Sequence, residues 1–321
     1  MNDTTIPVTL DSLLPPAMAA KAEDLGVKKA NLNVVNMFVL AILAGAFIAV
    51  GAIFATTVSA GSMAINTPGA DLAFKTGLPY GFTRLLAGLV FTVGLILVIV
   101  GGAELFTGNN LIIIAFMSGK VTLKSLLKNW AIVWTGNLVG SMGTAVIVFL
   151  GKQYTFGGNA IGLTALATAN SKCSLTFVQA VALGIMCNVL VCLAVWMCYS
   201  ARTTTDRILA IVPPIACFVA AGFEHSVANM YFIPMGLFIK YFDPSTYTDI
   251  VTKLNLGNEF ANLTWGNFFV GNLLPVTIGN VIGGAVLVGG VYWFIYLRKG
   301  HITGNGSNGE AAGTAGKALV N

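Results

Sequence analysis

Two short stretches place ionisable side chains inside apolar surroundings: "GGAELFTGNN" at 101–110 and "AAGFEHSVAN" at 220–229. Both carry the spacing G-x-E-x-x-x-x-N, as Gly102, Glu104, Asn109 and as Gly222, Glu224, Asn229. The second sets His225 directly after its glutamate. Imidazole changes charge near neutral pH, so His225 is a candidate for holding or passing a proton. Leu105 takes its place in the first stretch, which marks the histidine as an addition to a shared plan and favours a functional role over a satisfied core residue. For Glu104 and Glu224 the favoured reading is a scaffold role, each carboxylate accepting hydrogen bonds from exposed N–H groups of its own interrupted helix. Thr107 supports two compatible readings: its hydroxyl hydrogen-bonds an imidazole nitrogen of His225, or it caps the helix that follows. Ser226 adjoins His225, but adjacent residues do not make a nucleophile and base pair, and neither H-E-x-x-H nor G-x-S-x-G occurs. No enzyme, cofactor or metal centre is therefore expected.

The elements that position these groups must cross a membrane. Of 321 residues 56% are hydrophobic and 9% charged, with a mean hydropathy of +0.83, which excludes the mixed-charge surface of a soluble domain. Apolar segments of spanning length fall near 37–57, 84–118, 130–150, 176–199, 208–240 and 267–297, since about 20 helical residues cross the hydrocarbon. Lys21, Lys28, Lys29, Lys120, Lys124, Lys128, Arg202, Arg207, Arg298 and Lys299 flank one set of ends. The other set has Lys75, Arg84, Lys152, Lys172, Lys240 and Lys253, so both termini are expected in the cytoplasm of a multi-pass cell (inner) membrane protein. The net charge of +5 is too sparse for a nucleic-acid surface. The first thirty residues hold Asp3, Asp11, Glu23 and Asp24 and no apolar run behind a basic start, so no cleaved secretory signal is expected.

Three units follow. Residues 1–36 hold a cytoplasmic amphipathic helix after Pro15 and Pro16, with Met18, Ala19, Ala22 and Leu25 on one side. Residues 37–300 hold the six spans, and 301–321 read as a Gly-rich disordered tail. Cys187, Cys192, Cys198 and Cys217 lie in apolar segments and Cys173 near a loop, so the cysteines read as packing residues.

Spans two and five are too long, and each is interrupted by one of the two quoted stretches. "FVLAILAG" (38–45) matches "FVQAVALG" (177–184), and "GNLVG" (136–140) matches "GNVIG" (279–283). Spans one to three (37–150) thus repeat as four to six (176–297). An odd number of spans per copy inverts the second copy, an architecture of transport proteins. The expected fold is all-α and integral to the membrane, with six transmembrane helices in two inverted three-helix repeats and helices two and five broken. Unpaired backbone at membrane depth needs a protein-lined, hydrated path, so both breaks should face one pathway. Half-helix N-termini favour an anion or oxygen-bearing solute there. Lys172, read as a loop residue before span four, either adds to that field or anchors at the membrane edge.

The motifs "LFTGNN", "GNLVGS", "LVCLAVWMCYSAR", "GFEHSVANMYFIPMG" and "NLLPVTIGNVIGG" closely resemble the formate/nitrite transporter family, over about 13–298, and the last three look most like its formate channels. The resemblance implies an aquaporin-like fold and a homopentamer with one pore per protomer. It implies Thr107 and His225 as a central pair, supported by Lys172, Asn188 and Asn280, between constrictions formed by Phe91, Leu95, Leu105, Phe106, Val191 and Phe218. Glu104 stands where some relatives have aspartate, and Gly108 where serine is common. The implied partners are formate, or a similar small monovalent anion, and protons; nitrite, hydrosulfide, acetate and lactate remain open, as does a neutral-solute pore of aquaporin type. A bare anion is costly to desolvate in an apolar constriction and a neutral acid less so. The expected route therefore draws in the anion, protonates it at His225 or by water that His225 polarises, and passes the neutral acid.

Overall fold

A computed structural model describes residues 11–60, 78–253 and 260–298. Segment 301–321, Lys75 and Lys299 lie outside the described residues. Among these, six helices are long and apolar enough to cross a membrane. The order is α1 (Pro15–Ala30), α2 (Val34–Ser59), α3 (Tyr80–Gly101) and, after a break, α4 (Phe106–Met117), then α5 (Leu123–Leu150). The second copy runs α6 (Ala160–Cys173), α7 (Phe177–Ser200), α8 (Thr204–Ala221) and, after its break, α9 (Ser226–Phe242). The short α10 (Pro244–Lys253) and the sixth span α11 (Asn267–Tyr296) complete it.

Local chemistry fixes these limits. Asn33 opens α2 by accepting from the N–H groups of Val35 and Asn36, and Thr122 opens α5 by accepting from Ser125. Thr176 with Gln179 and Thr203 with Asp206 form reciprocal capping boxes on α7 and α8. Helices α3 and α8 end alike, on Gly102 (φ 78°) and Gly222 (φ 80°). Only glycine takes this left-handed turn without strain, and the turn lets Ala103 N–H bond Val98 O at 2.9 Å and Phe223 N–H bond Phe218 O at 3.0 Å. The chain then runs extended to Leu105 (φ −105°, ψ 125°) and His225 (φ −109°, ψ 113°) before re-entering a helix.

The third span begins at Leu123, a full turn and more before the apolar run at 130, because Thr122 caps it there. A larger departure is α6, which lies between the apolar runs 130–150 and 176–199. It packs against α9, where a Cβ on Gly236 would meet Ala169 Cβ at 2.6 Å. Helix α1 packs on the far half of span two in the same way, with a Cβ on Gly26 meeting Ala115 Cβ at 2.9 Å. The duplicated unit thus includes a short helix ahead of each triplet. Met18, Ala19 and Ala22 of α1 are buried as expected. Of the cysteines, Cys217 is exposed rather than packed; the other four are buried.

Small residues bring the spans together. Gly136 and Gly140 of α5 cross α2, and Gly279 and Gly283 of α11 cross α7, where Val181 and Ile185 present carbonyl oxygens. Span six is wound as π-helix over Asn267–Leu273 and Ile282–Gly290, whereas its counterpart α5 is regular. At one end of α9, Asp243 accepts from the buried Tyr154 hydroxyl at 2.6 Å and from the Ser245 hydroxyl at 2.7 Å. Burial alone would raise its carboxyl, but the bonds from Tyr154, Ser245 and Thr246 hold it well below the usual carboxylate range.

The crossings give a paired test. Gly140→Ala drives a Cβ into the Ile42 carbonyl oxygen, whereas Gly143→Ala meets nothing within 4 Å. The first is expected to lower the apparent melting temperature of the detergent-purified protein, by about 1–3 kcal/mol of stability. The second is expected to leave it unchanged or raised. Equal behaviour of the two would mean that α2 and α5 do not meet at Gly140.

Candidate functional site

The two breaks are held by matched sets of polar side chains. In the first, Lys29 Nζ bonds Glu104 Oε1 at 2.6 Å, Asn109 Nδ2 donates to Glu104 Oε2 at 2.7 Å and to Asn129 Oδ1 at 3.0 Å, and Asn129 Nδ2 returns to Lys29 O at 3.1 Å. In the second, Lys172 Nζ bonds Glu224 Oε1 at 2.7 Å, Asn229 Nδ2 donates to Glu224 Oε2 at 2.6 Å and to Asn272 Oδ1 at 2.7 Å, and Asn272 Nδ2 returns to Lys172 O at 2.9 Å. A buried carboxylate is costly unless paired and fully hydrogen-bonded, and both glutamates are. Lys29 and Lys172 each sit in the last turn of their short helix, which explains why α1 and α6 belong to the repeat.

Asparagines hold the half-helix starts. Asn137 Oδ1 accepts from Phe106 N–H at 2.9 Å while its Nδ2 donates to Ala41 O at 2.7 Å and Glu104 O at 3.0 Å. Asn280 does the same for Ser226 N–H (2.9 Å), Gly184 O (2.8 Å) and Glu224 O (3.0 Å). The expectation that each glutamate accepts from N–H groups of its own broken helix is not met: asparagines on spans three and six reach those groups first, leaving the carboxylates for lysine. Lys172 is likewise no loop residue. It is a helical side chain only 14% exposed in its ion pair with Glu224.

The middle is where the halves differ. His225 is the N-cap of α9, its Nδ1 accepting from Ala228 N–H at 3.0 Å. Its Nε2 lies 3.0 Å from the Thr107 hydroxyl oxygen, so the first turns of the two half-helices are tied together. With Nδ1 occupied as an acceptor, the ring proton resides on Nε2 and is donated to Thr107. Thr107 does not cap α4, whose N-cap is Leu105 with no side-chain bond. Behind Thr107, Asn188 Nδ2 donates to Thr107 O at 3.3 Å, Asn110 Oδ1 at 2.8 Å and Asn280 O at 2.6 Å. On the other side the single Ser141 hydroxyl hydrogen is shared between Gly45 O at 3.0 Å and Val227 O at 3.3 Å, Val227 being the position equivalent to Thr107. The Ser226 hydroxyl has no partner among the described residues, and both ring nitrogens of His225 are engaged elsewhere.

Two cavities of about 480 and 500 Å³ open on opposite sides of this pair. The first holds Arg84, Lys172, Glu224 and His225; the second holds Lys21, Lys28, Lys29, Glu104 and Arg207. Between them lies a chamber of about 10 Å³ walled by Ile48, Phe91, Leu95, Leu105, Val191, Ile215, Phe218 and His225. The Phe91 and Phe218 rings meet edge to face at 5.6 Å, and Phe218 stacks on His225 at 5.8 Å. That volume is about one water, so the waist is apolar and shut. Phe106 does not line the chamber; its ring lies edge-on to Trp130 at 6.3 Å. Sequence reasoning missed Ile48 and Ile215, and it missed Lys29, Asn129, Asn137 and Asn272. Asn137 is visible in sequence only as one position of the repeated GNLVG motif.

The formate/nitrite transporter family model matches residues 16–294. The chain is 45% identical over 291 residues to the formate channel FocA of Escherichia coli K12, covering 90% of this chain and 96% of that one. It is 38% identical over 290 residues to FocA of Haemophilus influenzae, covering 90% and 96%. A solved pentameric formate channel with formate bound superposes with a TM-score of 0.73 at 44% identity, covering 82% of this chain and 98% of that one.

The matched asparagines carry a symmetric expectation. Asn137→Ala and Asn280→Ala each leave a buried N–H and two carbonyls short of a partner, at about 1–3 kcal/mol per group. Both are expected to lower the apparent melting temperature, by similar amounts. Retention of wild-type stability by either variant would mean that the corresponding break is held by other bonds.

Proposed function

The chain belongs to the formate/nitrite transporter family, and on that basis we propose that this multi-pass membrane protein conducts formate through one pore in each protomer of a homopentamer. The observation that carries the reading is the Thr107–His225 bond set in an apolar waist between two cavities that each carry charged side chains. The lysine-rich ends support a cytoplasmic side for the termini and α1, with the cavity holding Lys172 on the outward side.

Formate reaches either cavity as the anion and crosses the waist as the neutral acid, since ionised carboxylate is costly to desolvate there. The proton comes from vestibule water and is released on the far side. It does not come from His225 in this geometry, because a ring that donates its Nε2 proton while Nδ1 accepts from Ala228 would be left as an anion. His225 instead offers Nε2–H, and Thr107 its hydroxyl oxygen. A passing acid exchanges the bond between these two for two of its own, its carbonyl accepting from His225 and its O–H donating to Thr107. Glu224 and Glu104, with Lys172, Lys29, Asn188 and Asn280, hold the breaks rigid around that pair. Phe91, Leu95, Leu105, Val191 and Phe218 exclude the ion.

Proteoliposomes enclosing a pH indicator are expected to acidify inside as formate enters, with no matching current. A formate current without interior acidification would sink the neutral-acid route. His225→Asn keeps a capping acceptor for Ala228 and removes the ring, so it is expected to retain the wild-type melting temperature while changing the pH profile or the formate-over-nitrite preference. His225→Ala is expected to cost about 1 kcal/mol more through the lost cap. Unaltered transport in both variants would reduce His225 to a structural residue.

A further inference from the structure

Resting on the reading of the pore as a monocarboxylate path, we infer that Arg84, rather than Lys172, supplies the positive charge that gathers the anion in the outward cavity. The charged side chains lining that cavity are Arg84, Lys172 and Glu224. Lys172 is spent: its Nζ lies 2.7 Å from Glu224 Oε1, and a lysine–glutamate contact of this kind presents no net charge to a solute. Arg84 has no carboxylate within ion-pair distance among the described residues.

Its guanidinium is placed by the opposing half-helix. Helix α8 gives way at Gly222, whose N–H bonds Val219 O at 3.1 Å, and a helix C-terminus such as this carries partial negative charge. That end lines the same cavity and by itself would repel an anion. Arg84, one turn into α3, donates Nε–H to Ala220 O at 3.2 Å and Nη2–H to Val219 O. The approach is possible because Gly88, one turn further along α3, has no side chain to strike the Ala216 carbonyl. Arg84 thus more than offsets the unfavourable helix end, which is equivalent to about half a negative charge. Arginine carries five N–H donors, so after these two bonds it keeps others for a carboxylate. The residue is partly exposed, as a group that meets arriving solute must be.

The test is formate uptake by osmotically supported spheroplasts, where the outward cavity faces the medium. Arg84→Gln can still donate to Ala220 but has lost the charge. It is expected to raise the half-saturating formate concentration about 3- to 10-fold at about 10 mM salt, shrinking to under about 2-fold at about 0.5 M, because screening removes long-range attraction. Arg84→Lys is expected to restore most of the wild-type value. Tyr80→Glu sets a carboxylate one turn before Arg84 on α3, at a side chain 80% exposed, and pairs with it without disturbing the bonds to α8. It is expected to reproduce the salt-dependent shift, and it decides the matter if Arg84→Gln fails to assemble. Wild-type concentration dependence in both Arg84→Gln and Tyr80→Glu at low salt would overturn the inference. So would an equal, salt-insensitive loss in Arg84→Gln and Arg84→Lys, which would make Arg84 a structural cap only. No formate uptake by the wild type would overturn the channel reading itself, and this inference with it.

Discussion

A helix that stops halfway through a bilayer strands N–H and C=O groups where lipid offers them nothing. Everything else in this molecule follows from how that deficit is met. Asn137 and Asn280 each reach across from a neighbouring span to take one N–H and two carbonyls at a break. The glutamates are thereby released to bind lysines from the two short helices, and those contacts dock α1 and α6 against the bundle. Remove the breaks and neither the asparagines nor the buried ion pairs would have anything to compensate.

The duplicated scaffold makes its departures from symmetry informative. Leu105 stands at the position equivalent to His225, and Val227 at the position equivalent to Thr107, so each half contributes one polar residue to a shared hydrogen bond. The donor to the carbonyl behind that pair also changes origin: Asn188 from the first helix of its triplet on one side, Ser141 from the third helix on the other. Gly284 leaves the room that Asn188 requires, since a Cβ there would meet Cys192 Sγ at 2.8 Å and fall on the asparagine amide itself. The frame is built twice, whereas the chemistry is built once, at the seam.

Much of this was legible in the sequence. Hydropathy located the spans, the matched motifs exposed the duplication, and the solitary histidine in an apolar run pointed to the seam. What escaped was long-range pairing. Nothing in the pattern around Glu104 names Lys29 as its partner, 75 residues away, and an asparagine inside a glycine motif looks like filler until its three bonds are seen. Helix α6 escaped because "AIGLTALATANSKC" is too short and too polar to read as a span, although small residues let it lie close against α9.

The smallness of the central chamber reaches beyond selectivity. At about 10 Å³ it has no room for a file of hydrogen-bonded water, and without such a file protons cannot hop from one side to the other by relay. On the proposed route a proton then crosses this waist only as part of a passing acid, never by itself.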